Sequence, residues 1–335
     1  MDRYHNKISA GNDFLFTLCL VCLLFPLLFR TVNTNAQNIF EEKQKKVIIK
    51  NNIFSLTTWD YYYTNGKPSK NGIKTSFNKY DNFGNIIELI TYKLKDTAAY
   101  ETFKYNNEGK RTDYIKRKGV KIAYQKTSRF DDIGKLIQEN GFDGASDFQN
   151  DYTYDNDGKL EQITYMLDKI THEKRVFNHE GNITGITVYN SADEITSYLS
   201  LKYDEHDNVV EEVVYNTDKI PTEKKLYVYD NDNNVISEVK YRGDNFYYKL
   251  TYLYNSNGEL INIDEENPNE GRYQKKQYFY DDNNNLVEMR WRRNAGEDFS
   301  LRTYQYDEDN ICFQYETFYP VTEFRILTKL NYEYY

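Results

Sequence analysis

The chain has 335 residues, with 43 lysines and arginines against 52 aspartates and glutamates, and a net charge of −9. Because contact with phosphate needs a basic surface, this balance argues against a nucleic-acid partner. The composition is unusual in its 34 tyrosines and 19 phenylalanines. Aromatic side chains pack well on a pleated sheet, so the composition favours β structure and argues against disorder.

An export signal is predicted at the amino terminus. Residues 14–29 form an uncharged apolar run that follows a basic start and precedes a polar stretch ending near Ala36. This pattern predicts a secretory signal peptide over residues 1–36 and a single mature domain over 37–335. An uncleaved membrane anchor is the alternative, but the run is shorter than the about 20 residues of a membrane span. We therefore expect an exported protein in the periplasm, at the cell surface or outside the cell, with no membrane span after signal cleavage.

One short motif recurs along the rest of the chain. It consists of an aromatic residue, then Asp or Asn, and three residues later Gly, Asn or Asp. The aromatic position is held in ten copies by Tyr80, Tyr105, Phe130, Tyr154, Phe177, Tyr203, Tyr229, Tyr254, Tyr280 and Tyr306.

The motif has the chemistry of a tight hairpin. An Asp or Asn such as Asp230 suits the first position of a type I turn, where its side chain accepts a hydrogen bond from the backbone. Gly, Asn and Asp, as at Asn233, tolerate a left-handed backbone best. A type I turn followed by a left-handed residue is a common hairpin loop, so each copy predicts two antiparallel strands.

The segments beside the turn predict how the strands are arranged. Aromatic pairs two residues apart, such as Tyr227 and Tyr229, share one face of a strand. Ten or eleven copies give roughly twenty strands, and open twisted sheets rarely exceed about ten without curling. The sequence therefore predicts an all-β fold of tandem antiparallel β-hairpin repeats in a long curled or spiral sheet. An open barrel and a solenoid are alternatives.

The signature Tyr154-Asp-Asn-Asp-Gly158-Lys-Leu160 resembles the YD repeats of the Rhs family of bacterial surface and toxin-shell proteins. The resemblance covers about residues 50–335. It implies a spiral β shell, which in long members of the family encloses a C-terminal toxin. For this chain it implies a surface or binding role.

No residue set predicts a catalytic centre, a metal site or a cofactor. His172 and His179 are each followed by glutamate, as in the zinc-protease motif, but neither has the second histidine that the motif needs. Asp-rich turns such as 155–158 suggest calcium, but their spacing is that of the turn. Cys312 is the one cysteine after the signal peptide, which excludes a disulfide framework.

One basic and aromatic cluster is a candidate ligand contact: Arg290, Trp291 and Arg292. Trp291 falls where other copies have a tyrosine, so packing is its simpler role. Arg290 and Arg292 should point to the opposite face, where they could meet an anionic glycan or a partner, or lie in solvent.

These observations favour an exported, non-enzymatic binding or scaffold protein whose partner is a carbohydrate or an envelope protein. The alternative is an exported hydrolase or a fragment of a toxin-encapsulating shell.

Overall fold

A computed structural model describes residues 44–93, 96–180 and 182–335 of the chain. The predicted signal peptide, residues 1–36, lies outside the described residues. The chain divides into a unit of residues 1–44 and a unit of residues 45–335, and the fold below is that of the second. In the described part of the chain, no helix is both long enough and apolar enough to cross a membrane.

The described residues form a short helix over residues 44–50, two 3₁₀ turns and 23 strands. The 3₁₀ turns are Pro268–Glu270 and Pro320–Thr322. The strands, numbered β1 to β23 in chain order, are Ile53–Thr64, Lys67–Pro68, Ile73–Tyr80, Ile86–Lys93, Asp96–Tyr105, Arg111–Lys118, Lys121–Phe130, Leu136–Phe142, Asp147–Tyr154, Leu160–Leu167, Ile170–Glu180, Asn182–Asn190, Ile195–Tyr203, Val209–Tyr215, Pro221–Tyr229, Val235–Arg242, Asn245–Tyr254, Leu260–Glu266, Lys275–Tyr280, Leu286–Arg292, Ser300–Tyr306, Cys312–Tyr319 and Phe324–Tyr334.

The strands form one antiparallel sheet that closes on itself. Each strand pairs with its neighbours in chain order, except that the two-residue β2 only extends the edge of β1. β1 pairs with β3 on one side and with β23 on the other, where Tyr61 lies opposite Leu327. The sheet is therefore a 22-strand barrel.

The closed barrel confirms the all-β antiparallel prediction and corrects the curled or spiral sheet. An open sheet would leave β1 and β23 each with a row of unpaired backbone groups. Pairing the two satisfies both rows, and the backbone N–H of Tyr335 also donates to the carbonyl of Asn52 at 2.9 Å.

Nine of the ten predicted hairpin turns have the predicted geometry. In the copy at Asp230, the N–H of Asn233 donates to the Asp230 carbonyl at 3.1 Å, and the Asp230 carboxylate accepts from the N–H of Asn234 at 2.8 Å. The left-handed position has positive φ in nine copies: Gly84, Gly109, Gly134, Gly158, Asp207, Asn233, Gly258, Asn284 and Asn310. The tenth copy has this position at Gly181, which lies outside the described residues.

The copy predicted at Phe177 has a different register. His179 lies opposite Ile183, and β11 continues three residues past Phe177 to Glu180. His179, rather than Phe177, thus takes the position of the strand-end tyrosine. The predicted three-residue loop does not fit this pairing, because only two residues separate His179 from β12.

A repeated tyrosine hydrogen bond links each hairpin to the one before it. The hydroxyl of Tyr229 donates to the carbonyl of Val209 at 2.8 Å, and that of Tyr254 donates to Val235 at 3.0 Å. In each case the acceptor begins the second strand of the preceding hairpin. The same bond is made by Tyr105, Tyr154, Tyr203, Tyr280, Tyr306 and Tyr332, and His179 Nε2 bonds the carbonyl of Leu160 in the same way.

The barrel is a single layer with a small apolar core at its seam. All the strands in the part of the chain that the structure describes belong to one sheet, and each makes its extensive contacts with its neighbours in that sheet. Ile53, Tyr80 and Ile311 are buried together near the turns, and Val47 and Ile48 of the short helix pack against them. Lateral bonds between hairpins therefore carry much of the stability that a two-layer fold obtains from face-to-face packing.

We expect Tyr229→Phe to lower the free energy of unfolding by about 1 kcal/mol, because it removes one hydrogen bond of the repeated set. Urea denaturation followed by circular dichroism would measure it. Tyr241→Phe is the control, since no hydrogen bond of its hydroxyl is found among the described residues. Equal losses in the two variants would contradict the role of the bond.

We expect Lys219→Gly to raise the free energy of unfolding by about 0.5–1 kcal/mol. Lys219 has φ +61° in a connection that repeats the hairpin loop, with its N–H donating to the Asn216 carbonyl at 3.0 Å. Glycine relieves that left-handed strain. Asp218→Gly, one residue earlier, should instead lower the stability in the same denaturation experiment.

Candidate functional site

The two faces of the sheet differ in burial. On the face of the strand-end tyrosines, Tyr227 and Glu238 are opposite each other and each 5% exposed, whereas Val228 on the other face is 52% exposed. The rings of Tyr124 on β7 and Phe148 on β9 meet across β8, with centroids 5.7 Å apart. Side chains converge in this way on a concave surface. We therefore assign the tyrosine face to the inside of the barrel.

Glu139 is the centre of one inner-face cluster. Its carboxylate forms an ion pair with Lys126 and accepts hydrogen bonds from Tyr152 at 2.8 Å, Asn150 at 3.2 Å and Ser128 at 3.3 Å. Burial acts to raise the pKa of Glu139, but the charge and hydrogen bond of Lys126 and the bonds from Tyr152 and Asn150 outweigh it. The pKa is therefore lowered from its ordinary value.

Two further carboxylates are buried beneath tyrosines. Glu212 is 7% exposed and lies 3.8 Å from the ammonium of Lys225, and Glu238 accepts the hydroxyl hydrogen of Tyr248. Burial raises the pKa of Glu212, against the opposing effects of Lys225 and Tyr227. Both carboxylates have partners in the protein and little exposed surface, so their role is to bind the strands together.

Most cations on this face are likewise paired. The ion pairs join Lys116 to Glu101 at 2.9 Å, Arg175 to Glu173 at 2.6 Å, and Lys240 to Glu223 at 2.9 Å.

Four aromatic rings form a continuous row on the inner face over β20, β22, β23 and β1. Trp291 meets Tyr319 edge-on with centroids 5.9 Å apart, Tyr319 lies 6.2 Å from Phe324, and Phe324 lies 5.8 Å from Tyr62. We call these four residues the aromatic row.

Two cations lie beside the aromatic row. Lys276 is directly opposite Trp291 in the register of β19 and β20. The guanidinium of Arg302 lies 5.9 Å from the Trp291 ring and 4.8 Å from the Tyr315 ring, and its Nε donates to Thr317 at 2.9 Å. Within the described residues, neither cation has a carboxylate at ion-pair distance.

The structure separates the three predicted contact residues. Trp291 belongs to the aromatic row, whereas Arg290 and Arg292 lie on the outer face, as alternation along a strand predicts. Arg290 pairs with Glu288 at 2.6 Å, and Arg292 lies over Phe299 at 4.9 Å. The three residues therefore do not form one site.

The sequence interpretation missed Lys276 and Arg302. Each stands four residues before a strand-end tyrosine, Tyr280 or Tyr306. Lys126 and Lys225 occupy the same position in their own copies, so a comparison of the repeats at this position could have found the set.

The histidines pack against other protein groups or lie in solvent. His172 packs edge-on to Tyr165 with ring centroids 6.4 Å apart, and His206 is exposed in a turn. In the part of the chain that the structure describes, no group of His, Cys, Asp or Glu side chains is arranged to hold a metal ion.

An open groove of about 800 Å³ lies on the outer face and is lined by Leu253, Asn262, Gln277 and Phe279 among others. It is shallow, and its polar side chains are not matched by a continuous aromatic surface. We therefore base the candidate site on the aromatic row.

No protein-family model matches the chain, and no curated protein matches its sequence. Among solved structures, the Photorhabdus luminescens Tc holotoxin pore with the TccC3-D651A mutation is 13% identical over 79% of this chain, with a TM-score of 0.27. TcdB2-TccC3 without its hypervariable C-terminal region is also 13% identical over 79% of this chain, with a TM-score of 0.28. This chain spans only 18% of the length of either toxin chain.

A porin-like protein from Bacteroides uniformis ATCC 8492 is 10% identical, over 84% of this chain and 98% of its own, with a TM-score of 0.32. Since all three TM-scores are below 0.5, none of these likenesses carries an argument about function. The resemblance to YD repeats stays a prediction.

We expect Glu139→Gln to lower the free energy of unfolding by about 2 kcal/mol at pH 7, because half-buried Lys126 loses its charged partner. The lowered pKa of Glu139 means that its stabilisation is present above the ordinary glutamate pKa and is lost as the pH falls below it. The difference between variant and wild type should therefore shrink below about pH 4. Thermal unfolding at several pH values would measure it.

The control for this measurement is Glu205→Gln, at an exposed turn position. It should change stability little at any pH. A loss in Glu139→Gln that is constant with pH would contradict the assigned role of the charge.

Proposed function

We propose that the chain is an exported, non-enzymatic barrel protein that binds carbohydrate on its inner face. The aromatic row is the observation that carries this proposal. Trp291, Tyr319, Phe324 and Tyr62 offer a run of ring surface across neighbouring strands.

Carbohydrate suits this surface for two reasons. The C–H faces of sugar rings pack on aromatic rings, while tyrosine hydroxyls and charged groups beside the rings supply hydrogen bonds to sugar hydroxyls. A row of rings favours an extended chain of sugars over a single small molecule. Phe324 is 37% exposed, so ring surface of the row is open to a ligand.

The proposed location is the periplasm, the cell surface or the medium, and it rests on the signal peptide predicted over residues 1–36. The proposal of a binding protein rather than a hydrolase rests on the buried carboxylates. Glycosidases use two carboxyl groups that flank the substrate, whereas Glu212 and Glu238 are 7% and 5% exposed and have partners in the protein. The toxin-shell alternative rests on the repeat resemblance alone.

We expect Trp291→Ala to weaken glycan binding about tenfold or more, because truncating a central aromatic contact typically costs over 1 kcal/mol. A glycan array followed by calorimetry with the best polysaccharide would measure it. Tyr241→Ala, on the outer face, is the matched control and should bind like the wild type.

Chromatography of the bound polysaccharide tests the non-enzymatic part of the proposal. The polysaccharide should be recovered unshortened after incubation. Shortened products would favour the hydrolase, and no binding to any polysaccharide would exclude the proposed function.

A further inference from the structure

We infer that Lys276 and Arg302 recognise negative charge on the bound glycan, so that the ligand is an acidic polysaccharide carrying uronate carboxylates. This inference rests on the proposed function and narrows its ligand class.

The register of the strands shows what distinguishes these two cations. Lys225 lies directly opposite Glu212 on the preceding strand. At the equivalent positions, Lys276 lies opposite Ile263 and Arg302 lies opposite Met289. In these two copies the cation therefore faces an apolar residue, whereas Lys225 faces a carboxylate.

The nearest carboxylates have other partners. Glu265 attracts Lys276 but pairs with Arg272 at 3.4 Å. Asp60 attracts Arg302 but accepts the hydroxyl hydrogen of Thr328 at 2.8 Å.

Both cations lie in surroundings that favour an anionic ligand. Burial lowers the pKa of Lys276, with Glu265 acting in the opposite direction, because the ammonium is partly removed from water. A carboxylate supplied by the ligand would restore the ion pair that other copies make internally. An ion pair at a partly desolvated site is stronger than one in water.

The spacing suits a polymer. Lys276 on β19 and Arg302 on β21 are separated by one strand, so their backbones lie about 10 Å apart across the sheet. Trp291 stands on the strand between them. Successive sugars can therefore stack on the ring while their carboxylates reach the two cations.

The test uses the chain purified after export, with oligomers of galacturonate and of neutral galactose as probes. A Trp59→Phe background leaves Trp291 as the only tryptophan, so its fluorescence reports binding at the row. We expect the acidic oligomer to bind more tightly than the neutral one and to lose affinity as salt is added. Lys276→Gln and Arg302→Gln should each weaken acidic binding about tenfold and weaken neutral binding much less, because glutamine keeps a hydrogen-bond donor but loses the charge.

Two further variants separate charge recognition from folding. Ile263→Glu supplies Lys276 with the carboxylate found in the copy of Lys225, so it should also weaken acidic binding about tenfold while Lys276 is retained. Lys249→Gln, on the outer face, should bind both probes like the wild type.

The outcomes distinguish the inference from the proposed function. Equal binding of both probes, or acidic binding unchanged in Lys276→Gln and Arg302→Gln, overturns the inference while glycan binding stands. Binding of the neutral oligomer alone does the same. Failure of every polysaccharide to bind overturns both.

Discussion

The hydrogen bond from a strand-end tyrosine to the carbonyl of the preceding hairpin is the constraint on which the barrel depends. In a single-layer sheet, contacts with the neighbouring hairpin must fix the position of each hairpin. The hydroxyl of Tyr229 does this by reaching Val209 at 2.8 Å. Where the predicted aromatic is Phe177, which has no hydroxyl, the strand continues to Glu180 and His179 makes the bond.

This constraint also explains why the inner face carries buried polar groups. Tyrosines directed inward bring hydroxyl donors with them, and buried hydroxyls need acceptors. Glu139 accepts from Tyr152, and Lys126 balances its charge. The inner face thus combines aromatic rings and internal ion pairs with buried aliphatic residues such as Ile163 and Ile186. Where an apolar residue replaces the facing carboxylate, as Ile263 does opposite Lys276, the same construction leaves a cation available beside the rings.

The site was only partly predictable. The direction of each side chain follows from alternation along its own strand, whereas the residues of the aromatic row come from distant parts of the chain. Trp291 was a predicted contact, and the outward direction of Arg290 and Arg292 followed from the two-residue period of a strand. The aromatic row could not be predicted, since Tyr62 and Phe324 become neighbours only through the pairing of β1 with β23.

The sequence by itself determined the repeating unit: Asp230 and Asn233 encode a turn through chemistry confined to a few residues, and alternation assigns the side chains to two faces. Only the tertiary structure decided that the sheet closes, which face is inside, and which cations lack a facing carboxylate. The reason is physical. Closure depends on the accumulated twist and stagger of 22 strands, which bring β1 alongside β23. No single segment of the sequence determines that accumulated twist and stagger.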